Sequence, residues 1–384
     1  MDVHYIAPST LPSRAANSVH VAMQCDGFRR AGARVTLYAR RAEPDPAAMP
    51  GALQLAYGVD VGGMELRTVY SVRDRASTLR IAALAVPQVL RTPREAMVLS
   101  RNLYASYALA VLARRPLLFE THQLELGFRK GLQRRLMREP RVTTVLISDK
   151  LVQCLAEHHG VAPLRPLVLH DAAPDGIEPL PPPRRRSELA ALDVPDAGQW
   201  EFIAAYFGQL YPGRGIEVIE RLARARPAVL FLVYGGNDDD VRTRRSSAPP
   251  PNLRFMGHVP HPTARQAMRA ADALLMPYQR EVSIGIGAHD TARWMSPMKM
   301  FEYMAAGVPL ISSDLPVLRE VLRDGVNCLL AGPDDIDGWL LALDRLRAEP
   351  ALARELGVAA HAQYLARHTW TRRAEALLAA WKTR

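Results

Sequence analysis

Apolar and polar positions along the chain alternate between two rhythms. Short continuous apolar runs recur, among them VHYIAP (3–8), VTLYAR (35–40), LLFET (117–121) and AVLFLVYGG (228–236). Between them lie longer stretches with apolar residues at helical spacing. A continuous apolar run bounded by turn residues is the pattern of a strand buried on both faces of a parallel sheet. The first unit predicts a strand at 3–8 and a loop of small and turn residues. A helix follows from about Asn17 or Ser18 to Ala31, with Val19, Ala22, Met23 and Phe28 inward, a stop at Gly32 and a strand at 35–40. Strand, helix and parallel strand make a right-handed crossover. LRTVYSV and AMVLSRN read as strands, with helices near 75–90 and 103–114. VTTVLISDKLVQCLAEHHGV (142–161) reads as a strand, a cap at Ser148 and a helix, and LVLHDAAPDG (167–176) as the last strand of this half.

Residues 177–199 interrupt the rhythm with Pro181–Pro183 and the basic triple Arg184–Arg186, the composition of a stiff, solvated connector. The alternation then restarts: a strand to Phe207, a helix from about Gly215, the strand at 228–236, and strand, turn, helix and strand over 252–279. Two helices, 351–366 and 370–381, end the chain. The expected organisation is a domain over 1–176, a linker over 177–199, a second domain over 200–365, and a final helix, 366–384. The fold class is α/β, with two doubly wound domains.

Composition narrows the partners. The chain has 384 residues, 48% hydrophobic and 23% charged, with a formal net charge of +10 and a pI near 9.8. That balance favours anionic partners. Nucleic acid is not expected, because no basic patch is interleaved with aromatic residues. No apolar run reaches the ~18 residues of a membrane span, and the N-terminus predicts no leader. Cys25, Cys154 and Cys328 are few and far apart, so they read as reduced structural thiols of a cytoplasmic protein. Arg67, Arg73, Arg75, Arg80, Arg91, Arg94 and Arg101 face few acids. A second basic cluster, Arg129, Lys130, Arg134, Arg135, Arg138 and Arg141, overlaps the amphipathic segment GFRKGLQRRLMRE, with Phe128, Leu132 and Leu136 on one face. This segment is either a solvated helix packed on the sheet or a surface resting on anionic lipid.

The densest candidate chemistry is SPMKMFEYMAAGVPLISSD (296–314). Ser296 suits an N-cap, Pro297 the first helical position and Gly307 the C-terminal stop. Free amides and the positive dipole end at a helix N-terminus suit a diphosphate. Glu302, one turn inside, could accept from ribose hydroxyls or be an ordinary surface carboxylate. Upstream, Gly208, Gly213 and Gly215 let backbone approach a phosphate and Arg214 supplies a bidentate fork. LLFET delivers Glu120 and His122 to a strand's C-terminal end, where ligands sit in open α/β sheets, although a lone histidine such as His122 is more often structural. His158 and His159 at a helix end read as structural. Asp238–Asp240 follow a strand and read as a helix start rather than a metal site. Glu281, His289 and Asp290 lie in a glycine-containing loop, Pro277–Trp294, and are either substrate contacts or solvated.

SPMKMFEYMAAGVPLISSD resembles the donor-binding segment of family 4 glycosyltransferases of the bacterial surface-polysaccharide, group 1 type. Their GT-B architecture has two Rossmann-like domains facing across a cleft. ANSVHVAMQCDGFRRAGARVTLYAR, the E-x-H of PLLFETHQLE, the 208–215 loop (similar to G-x-L-x-x-x-K-G) and 252–279 resemble other family elements. The resemblance implies that Glu302 holds the ribose and Val259 lies near the base. It places His122 beside the anomeric carbon, positioning the sugar and stabilising charge. Arg214, Lys299 and the amides of Met298 and Lys299 would stabilise the leaving diphosphate. Gly208, Gln209, Gly215 and Ser296 would complete the donor cradle. Three departures stand out: Trp294 where the first of two Glu residues is usual, Gln209 where Arg is common, and Arg214 where Lys is common.

The implied reaction is retaining, metal-independent transfer of a hexose or related sugar from a nucleotide diphosphate sugar to a hydroxyl acceptor. That acceptor would be a lipid-linked or surface-glycan precursor, as in polysaccharide or lipopolysaccharide biosynthesis. No cofactor beyond the donor substrate is implied; the basic charge, rather than the resemblance, offers an anionic membrane surface, the inner face of the plasma membrane, as a candidate partner. Two rivals stay open. One is a nucleotide-sugar 2-epimerase on the same fold. The other is a non-catalytic nucleotide- or lipid-binding member of a polysaccharide assembly complex, favoured by Trp294 and Gln209.

Overall fold

The continuous apolar runs become the strands of two all-parallel sheets, carried on two separate units: 1–175 with 368–384, and 176–367. The computed structural model describes residues 1–70, 77–282 and 290–384. Arg73, Arg75, Gly285, Gly287 and His289, singled out above, lie outside the described residues.

The first unit's sheet has seven strands: β1 (Asp2–Leu11), β2 (Arg34–Arg41), β3 (Glu65–Tyr70), β4 (Met97–Ser100), β5 (Leu117–Thr121), β6 (Val142–Leu146) and β7 (Pro166–Val168). Their order is β3-β2-β1-β4-β5-β6-β7. Every residue of β4, β5 and β6 is buried, which is why these runs are continuous rather than alternating. The helices are α1 (Ala16–Arg30), α2 (Met49–Tyr57), α3 (Ser77–Leu90), α4 (Leu103–Tyr107, continued by a π turn over Ala108–Leu112), α5 (Phe128–Met137) and α6 (Asp149–His159). The Ser148 hydroxyl caps α6 by accepting from the Leu151 amide at 3.0 Å. Cys25, Cys154 and Cys328 are buried and form no disulfide among the described residues.

Helix α5 departs from its expected stripe. Leu136 is buried and Leu132 half-buried, but Phe128 is 79% exposed. The inward place goes to Gln133, which accepts from the Glu125 amide at 3.0 Å and donates to Thr121 Oγ1 and the Gln123 carbonyl, each at 2.9 Å. A polar side chain whose amide bonds are all met costs little to bury.

The second unit's strands are β8 (Phe202–Phe207), β9 (Val229–Tyr234), β10 (Leu253–Gly257), β11 (Ala273–Met276), β12 (Leu310–Ser313) and β13 (Leu329–Ala331), in the order β10-β9-β8-β11-β12-β13. Its helices are α7 (Pro182–Ala191), α8 (Ile216–Ala225), α9 (Asp238–Ser246), α10 (His261–Ala270), α11 (Met298–Ala306), α12 (Ile336–Ala348) and α13 (Pro350–Arg367). Residues 177–199, expected as a solvated linker, contain α7. Proline is tolerated in a first helical turn, and the arginines have partners. Arg185 donates to the Ala271 carbonyl at 3.2 Å, and Arg186 pairs with Asp272 at 2.6 Å. Asp238–Asp240 open α9 through a capping box between Asn237 and Asp240.

The last helix, α14 (Trp370–Lys382), belongs to the first unit. A bridge between Ala173 and Thr369 leads into it, and it packs on α1. Gly27 makes that approach possible, because a Cβ there would strike the Trp370 carbonyl.

Candidate active site

Each unit brings one cluster of polar side chains to the C-terminal end of its sheet. In the second unit the cluster forms where β8 turns into the 208–215 loop, beside the first turn of α11. The Tyr303 hydroxyl on α11 accepts from the Phe207 amide at 2.8 Å and so ties that helix to the end of β8. Gly208 has φ 151°, and a Cβ on it would lie 2.5 Å from Lys299 Nζ. The Nζ sits 4.0 Å from the Tyr206 ring centroid and 5.0 Å from that of Tyr278. It is buried and has no hydrogen-bond partner among the described residues. Burial holds its pKa well below the usual lysine value, Arg214 pushes it further down, and Glu302 opposes. Arg214 donates to the Tyr278 hydroxyl at 3.1 Å, with its guanidinium carbon 5.3 Å from that ring's centroid. Two cations therefore share a tyrosine-walled corner, and among the described residues no carboxylate is in contact with the ammonium.

The other sequence-predicted residues fall around this corner in different ways. Gly215 caps α8 in the left-handed region, and Gln209 accepts from the Tyr206 hydroxyl through its carbonyl at 2.7 Å. Gly213 and Gly215 are glycine for a reason other than phosphate approach: a Cβ on either would strike the Glu281 or the Pro277 carbonyl. Ser296 is buried but is not the cap of α11. Pro297 holds the extended cap position, and Met298 is the first helical residue. The first-turn amides of Met298 and Lys299 have no carbonyl a turn earlier to bind. Glu302 is 8% exposed, with Oε1 3.6 Å from His261 Nδ1 on α10. Val259, between β10 and α10, is half-buried, as is Trp294 in the turn before α11. Asp290 is a loop clasp, accepting from the Val282 and Ala292 amides, both at 2.8 Å. Glu281 is exposed.

In the first unit the cluster centres on Glu120 at the end of β5. Its Oε1 lies 2.6 Å from Arg373 Nη2, 3.1 Å from His20 Nε2 and 3.2 Å from His122 Nε2, and its Oε2 accepts from the Tyr5 hydroxyl at 3.1 Å. His20 Nδ1 is 2.8 Å from Asp171 Oδ1, and Arg101 Nη2 is 3.2 Å from His122 Nδ1. Burial alone would raise the Glu120 pKa, but Arg373, His20 and His122 hold it well below the usual value. Burial, with Arg101 adding, pushes His122 down to about 4. Asp171 is held low by His20 against the effect of its burial. His20, Glu120 and His122 bring their ligand atoms within 4.8 Å of one another, close enough for a metal. The donor set argues against a dication, since one carboxylate already serves Arg373 and a second guanidinium, Arg101, stands beside His122.

Sequence reasoning found Glu120 and His122 but missed His20, Arg101, Asp171 and Arg373. His20 and Gln24 do leave a local trace, as polar residues four apart on a buried face of α1. His158 and His159 are structural: they bond the Glu125 carbonyl at 2.8 Å and Gln133 Oε1 at 2.9 Å.

Two parallel sheets of this kind, each on its own unit, define the GT-B class. Over its whole length the fold matches Anabaena HepE in complex with UDP and glucose, with a TM-score of 0.69 at 16% identity, covering 100% of this chain and 99% of that one. It also matches sucrose-phosphate synthase from Thermosynechococcus elongatus, with a TM-score of 0.73 at 16% identity, covering 100% and 98%. In sequence, residues 214–379 match the family model described as glycosyl transferase-like. The chain is 33% identical over 147 residues to phosphatidyl-myo-inositol mannosyltransferase of Mycolicibacterium smegmatis (36% of this chain, 35% of the relative). It is 27% identical over 235 residues to D-inositol 3-phosphate glycosyltransferase of Mycobacterium tuberculosis (58% and 45%). The chain thus spans less than half the length of these curated relatives. By sequence over 214–379 and by fold throughout, it is similar to glycosyltransferases of the group 1 type.

Proposed function

We propose that the protein is a family 4 glycosyltransferase that moves a sugar from a nucleotide diphosphate sugar to a hydroxyl acceptor, with retention and without a metal. The observation that carries this reading is the buried Lys299 ammonium, which has no hydrogen-bond partner among the described residues, beside Arg214 at the start of α11. An enclosed cation without a counter-ion is costly, and a diphosphate supplies the missing anion. The orphan amides of Met298 and Lys299 add to that site. Gly208, Gln209, Gly215 and Ser296 would line the diphosphate and sugar, Glu302 would accept from the ribose hydroxyls and Val259 would lie near the base. From the first unit, His122 would orient the transferred sugar.

In the reaction the bond between the anomeric carbon and the leaving diphosphate breaks. The acceptor oxygen bonds that carbon on the same face, and its proton passes to a diphosphate oxygen. Arg214 and Lys299 stabilise the charge that develops on the diphosphate, which is electrostatic preorganisation. Glu120 already accepts from three side chains, Tyr5, His122 and Arg373, with His20 Nε2 3.1 Å away, so it is not a nucleophile. The HepE neighbour holds UDP and glucose, which supports UDP as the first probe. The proposed acceptor is a lipid-linked or surface-glycan precursor. Among the described residues no helix is long and apolar enough to cross a membrane, so we assign any membrane contact to the basic face of α5.

Thermal melting with UDP, GDP, ADP, CMP and dTDP, each with and without EDTA, tests the reading. One nucleoside diphosphate should raise Tm in EDTA, and Lys299→Met should abolish the rise. Stabilisation only with a divalent ion sinks the metal-free reading, and no stabilisation by any nucleotide sinks the donor site. Glu302→Ala then separates an enzyme from a non-catalytic partner: transfer should collapse in an enzyme, while a scaffold's complex formation should survive.

A further inference from the structure

The hydrogen bonds around His122 fix where its proton sits. Arg101 follows β4 and places Nη2 3.2 Å from His122 Nδ1. A guanidinium has only donors, so Nδ1 must be the bare nitrogen. The imidazole proton is then on Nε2, 3.2 Å from Glu120 Oε1, and an ionised carboxylate only accepts. The two contacts agree, because each requires the tautomer that the other allows. Glu120 is itself pinned by Arg373, at 2.6 Å, and by the Tyr5 hydroxyl at 3.1 Å. Arg373 in turn bonds Gln24 on α1 and the His170 carbonyl, the latter at 3.0 Å. Among the described residues the charged or titratable groups facing the ring include Arg101, Glu120 and His20, whose ring meets that of His122 edge-on with centroids 4.9 Å apart. Asp171, Arg373 and Tyr5 stand one contact further out.

We propose that Arg101 is a positioning residue that locks His122 as the neutral, Nε2-protonated tautomer, and that Arg373 on the last helix holds the carboxylate receiving that proton. Its catalytic meaning rests on the reading of His122 as part of the transfer site; the tautomer itself does not. The consequence is chemical. The Nδ1 lone pair is spent on Arg101 and Nε2 carries a proton, so His122 has no basic nitrogen for an acceptor hydroxyl. Its contribution to transfer is then orientation of the sugar, and the acceptor's proton must go elsewhere. Protonating the ring would set a second N–H against a guanidinium, so His122 stays neutral far into acid.

The test is a long-range proton–nitrogen NMR correlation on the full chain labelled at the histidine ring nitrogens, with His122 assigned from its loss in His122→Asn. The expected spectrum shows Nε2–H at pH 6–8 with no protonation midpoint above about 5. In Arg101→Met the proton should stay on Nε2 beside Glu120, but Nδ1 is freed and the ring's midpoint should rise by at least one unit. With a nucleotide-sugar donor, Arg101→Met should lower kcat at least tenfold, change KM less than threefold and add an acidic limb to the pH profile. A wild-type ring protonated at Nδ1, or titrating near 6.5, overturns the inference whether or not Arg101→Met folds. The donor site is judged apart from this, by nucleotide melting. If His122 has the expected tautomer and no nucleotide binds, the function falls and the positioning assignment stands.

Discussion

An ammonium enclosed without a counter-ion stabilises nothing by itself, and Lys299, with no carboxylate in contact among the described residues, is informative for that reason. Burial holds its pKa well below 10.5, Arg214 adds to the effect and Glu302 opposes it. Between the lowered value and 10.5 the unfolded chain therefore binds more protons than the native state, so stability should rise with pH across that window. Lys299→Met should flatten this rise, leave the unliganded Tm equal or higher, and weaken nucleoside diphosphate binding on the order of 100-fold, about 2.8 kcal/mol. Parallel melts at pH 7 and pH 9 with titration calorimetry would check it; wild-type affinity in the variant removes Lys299 from the site. Gly208→Ala tests the same corner from the backbone side. The new methyl would meet Nζ at 2.5 Å, at φ 151°. We expect about tenfold weaker nucleotide binding and roughly 1–3 kcal/mol of lost stability from the strained backbone. Unchanged affinity would mean that Lys299 swings clear of its place beside the tyrosines. These residues were legible in the sequence because a glycine loop and a helix start are local patterns. His20, Arg101, Asp171 and Arg373 were not, because only the fold brings positions as distant as 20 and 373 together at Glu120.

At the scale of elements, the last helix braces the end of β5 through one side chain. Arg373 is 3% exposed and reaches Glu120, Gln24 and the Leu169 and His170 carbonyls. Arg373→Met would leave a buried carboxylate without its main cation, a change that costs about 3–5 kcal/mol. The sign with pH follows from Glu120, whose native pKa is lowered. The stability it contributes is present in full above the ordinary carboxylate range and is lost as pH falls through the lowered native value. The penalty of Arg373→Met should thus be largest near pH 7 and shrink as the variant's Glu120 becomes protonated in acid. Urea unfolding at pH 7 and pH 4.5 measures both, and a penalty below 1 kcal/mol at pH 7 would mean that the helix is held by its apolar face alone. Element types followed from the apolar runs, whereas two details did not. Helix α7 hides behind three prolines and three arginines, because prolines mark a helix start as well as a linker. Helix α5 turned differently, because its buried glutamine is satisfied by partners that its own stretch does not reveal.

For the whole molecule, the α/β alternation was enough to anticipate two doubly wound sheets, since parallel strands buried on both faces leave continuous apolar runs. What the net charge of +10 is for was not readable, because charge alone does not say which cations stand free. The structure sorts them on α5. Arg129 pairs with Glu125 and Arg135 with Glu139, while Lys130, Arg134 and Arg138 have no carboxylate partner among the described residues. Beside them Phe128 is 79% exposed and Leu126 59% exposed. Exposed apolar anchors next to free cations fit an anionic bilayer face, where each cation near the surface contributes about 1 kcal/mol. Co-sedimentation with phosphatidylglycerol-containing vesicles at low salt should therefore succeed, and it should fail with phosphatidylcholine alone. Adding salt to about 0.5 M should release the protein, because the interaction is screened within a few ångströms. Lys130→Glu, Arg134→Glu and Arg138→Glu combined should lower partitioning by roughly 100-fold or more, since three contributions of about 1 kcal/mol are lost and repulsion is added. Phe128→Ser should weaken binding by a smaller, salt-insensitive increment. If the triple variant sediments like the wild type, the basic face of α5 is a solvated surface and the net charge serves another anion.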